Sequence, residues 1–294
     1  MITTEGVEDM ANGKTQMSGK PVWFITGCST GFGRELAAHL LAGGYRTVVT
    51  ARNPDSLKDL GVHQNALVLK LDVTDQAQID AAVKAAEAHF GRIDVLVNNA
   101  GLGYFGAVEE SEDDEVRWMF DVNVFGLGRM ISAVLPGMRQ RRSGFIVNLS
   151  SIAGIRSFPG LGYYNATKFA VEGLSEALWQ EVEPLGIKVM IVEPSGFRTD
   201  WAGRSAKESV EQIADYAATA GEKRRQLRAV SGHQPGDPLR AVQAIVSAVE
   251  SVQPPHRLLL GNAAYELAMA KIAELQREFT TGEDVARGAD FPKD

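Results

Sequence analysis

Val22-Trp23-Phe24-Ile25 runs straight into Thr26-Gly27-Cys28-Ser29-Thr30-Gly31-Phe32-Gly33, and from Gly33 to Gly43 Leu36, Leu40 and Leu41 recur at helical spacing. Four apolar residues bounded by turn formers read as a short buried strand. Glycines between a strand and a helix let the backbone bend tightly. They also let a phosphate approach the helix N-terminus, where free N–H groups and the dipole favour negative charge. The spacing is G-x3-G-x-G, not the G-x-G-x-x-G of the commoner dinucleotide fingerprint. Such a turn can be only a turn, but its place after the first strand favours a bound cofactor.

The same alternation continues outward. Thr47–Thr50, Ala66–Leu71, Ile93–Val97, Phe145–Leu149, Lys188–Val192 and Arg257–Leu260 read as further strands. Between them, Gln76–Phe90, Ser111–Gln140 and Tyr163–Pro184 carry helical periodicity, the second interrupted near Gly126 and Pro136. Strands alternating with amphipathic helices predict right-handed βαβ units. The expected fold is α/β: a Rossmann-type, doubly wound, mainly parallel sheet of about seven strands with helices on both faces. Ligands of such sheets sit at the carboxyl ends of the strands.

Residues 1–20 read as a mobile leader, 21–265 as one catalytic domain, and 266–294 as a C-terminal helix and loose tail. Residues 196–236 break the alternation. They are rich in Ala, Lys, Glu and Arg and read as a helical flap over the site, or else as a solvated insertion.

Composition narrows the function. The chain has 294 residues, 45% hydrophobic and 23% charged, with a formal net charge of −7. That balance offers no broad basic surface to nucleic acid. Arg139-Gln140-Arg141-Arg142 reads as a solvated helix end. The single cysteine, Cys28, excludes an intrachain disulfide, and the five histidines form no ligand-spaced pair, so no metal is expected. No uninterrupted apolar run reaches the roughly 18 residues needed to span a bilayer. A cytoplasmic protein without membrane or nucleic-acid partners is expected.

Tyr164 and Lys168 stand four apart, on one face of their helix. An ammonium one turn from a phenol favours the phenolate and is expected to lower its pKa. Such a tyrosine can exchange a proton with an alcohol or carbonyl. Alone, the pair could be a plain surface contact.

The run Thr26–Gly33, then Asn98-Asn99-Ala100-Gly101, Asn123, Ser151, Tyr164 and Lys168, resembles the short-chain dehydrogenase/reductases of the non-extended type over residues 20–265. The interval 164 − 151 = 13 is the separation that family shows between serine and tyrosine. It selects Ser151 over Ser150 and Tyr164 over Tyr163. The resemblance implies an NAD(P)-dependent oxidoreductase acting on a ketone or secondary alcohol. Tyr164 would be the general acid/base, and Ser151 would bind the substrate oxygen. Lys168 would lower the tyrosine pKa and bond the nicotinamide ribose. Asn123 would hold a water, its alternative being a helix-bending amide that satisfies freed backbone groups.

The resemblance also implies cofactor contacts from Gly27, Ser29, Thr30, Gly31, Phe32 and Gly33 in the first turn. Asp72 and Val73 would lie near adenine, with a helix N-cap as the rival role for Asp72. Asn98, Ala100 and Gly101 would flank the adenosine ribose, and Pro194, Gly196 and Thr199 the carboxamide, although Ser195 separates a Pro-Gly pair that is often adjacent. At the end of the second strand Ala51 holds the position where an acid would select NAD, and Arg52 follows. Arginine pairs with phosphate through two hydrogen bonds, which favours NADP with NAD possible. Arg52 could instead solvate a loop or stack on adenine.

Leu102, Tyr104, Phe105, Ile155, Phe158, Leu161, Phe197 and Trp201 cluster near the expected mouth and suggest a hydrophobic small-molecule carbonyl or alcohol. Homodimers or homotetramers are common in the family. Two other functions fit parts of the pattern: a non-catalytic dinucleotide-binding regulator, and an extended-type sugar-nucleotide epimerase or dehydratase.

Overall fold

The computed structural model describes residues 19–203 and 205–291. The expected leader lies outside them except for Gly19 and Lys20. In chain order the elements are β1 (Val22–Ile25), α1 (Gly31–Ala42), β2 (Arg46–Ala51), β3 (Ala66–Lys70), α2 (Gln76–Phe90), β4 (Val95–Asn98) and β5 (Gly103–Phe105). Then come α3 (Asp113–Phe120), α4 (Leu127–Arg141), β6 (Gly144–Leu149), α5 (Gly162–Val182), β7 (Ile187–Pro194) and β8 (Ala206–Glu208). Last are α6 (Glu222–Ala229), α7 (Pro238–Glu250), β9 (Arg257–Leu260), α8 (Asn262–Thr281) and α9 (Glu283–Arg287).

Seven strands form one parallel sheet in the order β3-β2-β1-β4-β6-β7-β9. β1 is buried along its whole length because both neighbours and both helical layers cover it. One face packs Leu36 and Leu40 of α1 against Val242 and Ile245 of α7 over Trp23, Val49 and Val97. The other packs Ile79 of α2, Met130 and Val134 of α4 and Val171 of α5 over Phe24, Leu96 and Ile146. The doubly wound architecture is the expected one. Strand order reverses between β1 and β4, which opens a crevice at their carboxyl ends.

Local chemistry sets the element ends. Asp75 caps α2 by accepting from Gln78 N at 3.1 Å, and Gly91, at φ +83°, ends it in the left-handed region. Asp75 therefore takes the cap role that rivalled Asp72's cofactor role. Asp237 caps α7 with Pro238 in its first turn.

Several expectations need correction. The first helix starts at Gly31, not Gly33, because the turn itself supplies its opening residues. The helix expected over 111–140 is interrupted at Gly126 but not at Pro136, which costs α4 a backbone hydrogen bond without ending it. The interruption is a π turn over Asp121–Gly126. Residues 103–105 and 206–208 form a second, two-stranded parallel sheet, so part of the flap is strand. α8 begins at Asn262, and the region expected to be a loose tail carries α9.

The helical stretch Asp113–Arg141 is long and apolar enough to cross a bilayer by length and composition. Its Met130, Ile131, Val134 and Met138 are packed on the sheet, the burial of a core helix.

Candidate active site

The Gly-rich turn is shaped by close approach. Gly27 and Gly31 have φ of +72° and +61°, the left-handed region that favours glycine. A Cβ on Gly33 would stand 2.3 Å from Asn99 Nδ2 and 2.4 Å from the Gly27 carbonyl oxygen. Asn99 Nδ2 donates to the carbonyls of Thr26 and Gly27, both at 2.9 Å, and Thr26 Oγ1 accepts from the N–H groups of Asn99 and Ala100. The end of β4 is thereby fastened to the turn after β1. Thr30 precedes α1 without a side-chain cap, and the first helical turn carries no acid. Its N–H groups are available to an anion. This cradle, which only glycine permits, fits a dinucleotide's phosphates.

From the turn, a cleft of about 680 Å³ runs across the crevice. Of the residues expected from sequence, all but Gly33, Asn98 and Asn123 line it. Gly33 lies behind the turn, where it allows the Asn99 contact. Asn98 points into the fold and donates to Asn148 Oδ1 at 2.9 Å. Asn99, which the sequence reading passed over, takes the place at the cleft. Asn123, in the π turn, accepts from Leu102 N and donates to Leu102 O, both at 2.9 Å, and donates to Thr167 Oγ1 at 3.2 Å. Its amide thus satisfies backbone groups, as the helix-bending alternative anticipated.

Asp72 Oδ1 accepts from the N–H and hydroxyl of Thr74 at 3.0 and 2.8 Å, which fixes the carboxylate at the cleft wall. Arg52 lines the cleft and is exposed. Arg34 nearby is taken up by the Ser56 carbonyl at 3.1 Å and by Asp59, whose carboxyl it holds below the usual range.

At the opposite end Ser151, Tyr164 and Lys168 converge. Ser151 Oγ accepts from Ala153 N at 3.1 Å, which holds the hydroxyl at the mouth of a short turn. Tyr164 packs with Leu161, Phe105 and Ala153, and its ring lies 4.9 Å from that of Trp201. Lys168 Nζ lies 5.8 Å from the Tyr164 ring centre and donates to Leu149 O at 2.7 Å.

The electrostatics correct one expectation. Burial pushes the Tyr164 phenol up, opposed only by a hydrogen bond from Ser151. Losing hydration of a phenolate outweighs the nearby ammonium. Burial also drops Lys168 to about 8, with the Glu172 carboxylate opposing.

Behind these residues is a network that the sequence reading missed. Ser150 Oγ donates to Glu172 Oε1, and Arg257 Nη1 reaches Glu172 Oε2 at 2.6 Å and Glu193 Oε1 at 2.7 Å. Glu193 is wholly buried and is pushed up to about 7 by burial and by Glu172, against Arg257. The signal was present: Glu172 follows Lys168 by four residues, on the same helical face.

Of the expected apolar mouth, Leu102, Phe158, Leu161, Phe197 and Trp201 line the cleft. Tyr104 and Phe105 lie beneath it on β5, and Ile155 lies outside it. Residues 196–236 and α8 complete the wall through Leu227, Val230 and Leu267.

Residues 21–210 match the short chain dehydrogenase family. The chain is 40% identical over 258 residues to the oxidoreductase BOA17 of Botryotinia fuckeliana, covering 86% of this chain and 93% of that protein. It is 39% identical over 240 residues to a 3-ketodihydrosphingosine reductase of Bacteroides thetaiotaomicron, covering 81% and 86%. A crystal structure of a short-chain dehydrogenase from Streptomyces avermitilis is 43% identical, with a TM-score of 0.87 over 93% of this chain and 99% of that one. An enzyme of the same kind from Burkholderia phymatum, solved with NAD, is 26% identical, with a TM-score of 0.74 over 94% and 98%. ElxO, solved with NADP, is 27% identical, with a TM-score of 0.70 over 84% and 100%. The chain belongs to the short chain dehydrogenase family and is an oxidoreductase of the CH–OH/C=O type that uses a nicotinamide cofactor.

Proposed function

We propose that this enzyme reduces an apolar ketone to a secondary alcohol, with NADPH as the favoured donor and Tyr164 as the proton donor. The observation that carries this reading is the meeting of Ser151, Tyr164 and Lys168 at one apolar cleft that leads back to the glycine cradle. When bound, the nicotinamide supplies the hydride; the protein supplies orientation and proton handling. Ser151 hydrogen-bonds the substrate oxygen and stabilises the charge that develops there. Tyr164, kept as a neutral phenol by burial, gives its proton to that oxygen. Lys168 supplies a positive charge one turn away and binds the ribose hydroxyls. Asn123, through its amide hydrogen bonds to Leu102 and Thr167, positions Leu102 at the cleft wall.

On the cofactor side, Ser29, Thr30, Gly31 and Phe32 hold the phosphates with the N-terminus of α1. Arg52 takes the 2′-phosphate, and no acid replaces Ala51 to repel it. Asp72 and Val73 receive adenine, Ala100 and Gly101 the adenosine ribose, and Pro194, Gly196 and Thr199 the carboxamide. Residues 196–236 close the substrate end. The relative described as a 3-ketodihydrosphingosine reductase supports a carbonyl substrate and the reductive direction. Phe125 on the π turn and Phe169 on α5 are exposed and would serve subunit contacts in a cytoplasmic dimer or tetramer. The test is NADPH consumption across steroid, quinone, aldehyde and simple ketone substrates. Turnover of ketones supports the reading, and turnover of none overturns it.

A further inference from the structure

We infer that the substrate end of the cleft selects carbonyl compounds carrying an anionic group, such as a carboxylate, and that Lys223 recognises it. The inference rests on the reductase reading above for the identity of that end.

Charge is unevenly distributed along the cleft. Among the described residues, Asp72 is the only acidic side chain that lines it, and Asp72 stands at the end beside the glycine cradle. The other end carries Lys207 and Lys223. Lys207 is neutralised, because both carboxylate oxygens of Glu115 receive its ammonium, at 2.6 and 2.8 Å.

Lys223 has no such partner among the described residues. The adjacent Glu222 is engaged by Arg225 at 2.7 Å and by Gln226 at 2.9 Å. Glu110 and Glu208 face Arg224, on another side of the same helix, at 3.8 and 3.7 Å. The Lys223 ammonium instead lies 4.9 Å from the centre of the Phe158 ring. Phe158 packs in the cluster that contains Tyr164, so this charge borders the space in which a substrate meets the phenol.

A half-buried ammonium on an aromatic face, between apolar walls, attracts an anion more strongly than it would in water. A neutral head gains less, and an ammonium head is repelled. The phosphate cradle lies at the N-terminus of α1, after β1, whereas Lys223 sits on Phe158, which packs in the cluster of Tyr164. A substrate that places its carbonyl at Ser151 and Tyr164 and its apolar body along Phe158 and Leu227 would bring an anionic end group to Lys223.

The test uses calorimetry on the full chain saturated with NADP. The probes are 4-phenylbutyrate, its amide and 4-phenylbutylamine. Expected is about tenfold tighter binding of the carboxylate than of the amide. Lys223→Met should reduce that ratio to near one, and Lys223→Glu should make the amine the preferred probe. NADP affinity of both variants, measured alongside, reports the fold. Equal binding of carboxylate and amide to the native protein, or an unchanged ratio in Lys223→Met, overturns the inference. Carboxylate preference without ketone turnover would leave Lys223's role standing and sink the reductase reading. Ketone turnover without carboxylate preference would do the reverse.

Discussion

Lys168 Nζ donates to the carbonyl oxygen of Leu149 at 2.7 Å. Leu149 ends β6 and precedes Ser150 and Ser151, so this bond fixes α5 to the turn that carries Ser151. The bond aims the ammonium at the strand end, not at the phenol. It also makes the charge state of Lys168 a feature of the whole site.

Burial lowers Lys168 from 10.5 to about 8. Below about pH 8 the folded protein keeps the ammonium; above it the charge is lost. Activity that needs this charge should therefore fall as pH rises through about 8. The stability term has the opposite direction: between about 8 and 10.5 the unfolded chain binds more protons, and stability from this residue rises with pH. A pH profile of kcat/KM for NADPH-dependent reduction checks the first statement. Glu172→Gln, which removes the opposing carboxylate, should move the fall to lower pH. A profile flat to pH 10 would contradict the role given to Lys168.

Glu193 is raised from 4.5 to about 7 in the folded protein. A raised carboxyl favours the folded state below the unfolded pKa, and that contribution is lost as pH rises through about 7. Glu193→Gln cannot ionise and escapes the loss. Its stability relative to the native chain, read from the melting temperatures, should rise between pH 5.5 and pH 8.5 by about 1–2 kcal/mol. Thermal melts at both pH values decide it, and an unchanged difference would show that the buried carboxylate stays charged throughout.

Arg52→Asp exchanges a phosphate-binding group for one that repels phosphate and accepts from a free 2′-hydroxyl. NADPH affinity should weaken by about tenfold to a hundredfold, the range for a charge-assisted hydrogen bond. NADH affinity should hold or improve. Fluorescence titration with both cofactors reads the change, and parallel loss of both would place Arg52 on adenine instead.

Much of this site was legible because its parts are local. Gly27, Gly31 and Gly33 announce a turn at which only glycine fits, and Tyr164 and Lys168 declare their shared face by spacing alone. Ser151 needed the resemblance, since nothing local distinguishes it from Ser150; in the fold both line the cleft, but the Ser150 hydroxyl is taken up by Glu172. Asn98 and Asn99 were confused for a similar reason. Successive strand residues point to opposite sides, and a reading off by one residue exchanges the buried amide for the cleft amide.

What was not legible depends on contacts between distant segments. The pairing of β5 with β8 joins residues about a hundred positions apart, through runs too short to show periodicity. The Glu172–Arg257–Glu193 network joins α5, β9 and β7, and each residue alone reads as a surface charge. The Tyr164 pKa was misjudged because spacing reveals the neighbouring cation but not the depth of burial.

The most direct test of the central claim is Tyr164→Phe, which removes one hydroxyl from the cleft and leaves the ring packed against Trp201. NADPH affinity and NADPH-dependent ketone turnover are measured on the same preparation. Expected is a loss of kcat of about a hundredfold to ten-thousandfold, the usual worth of a positioned proton donor, with NADPH binding within about twofold of native. Turnover that survives at the native rate would contradict Tyr164 as the proton donor.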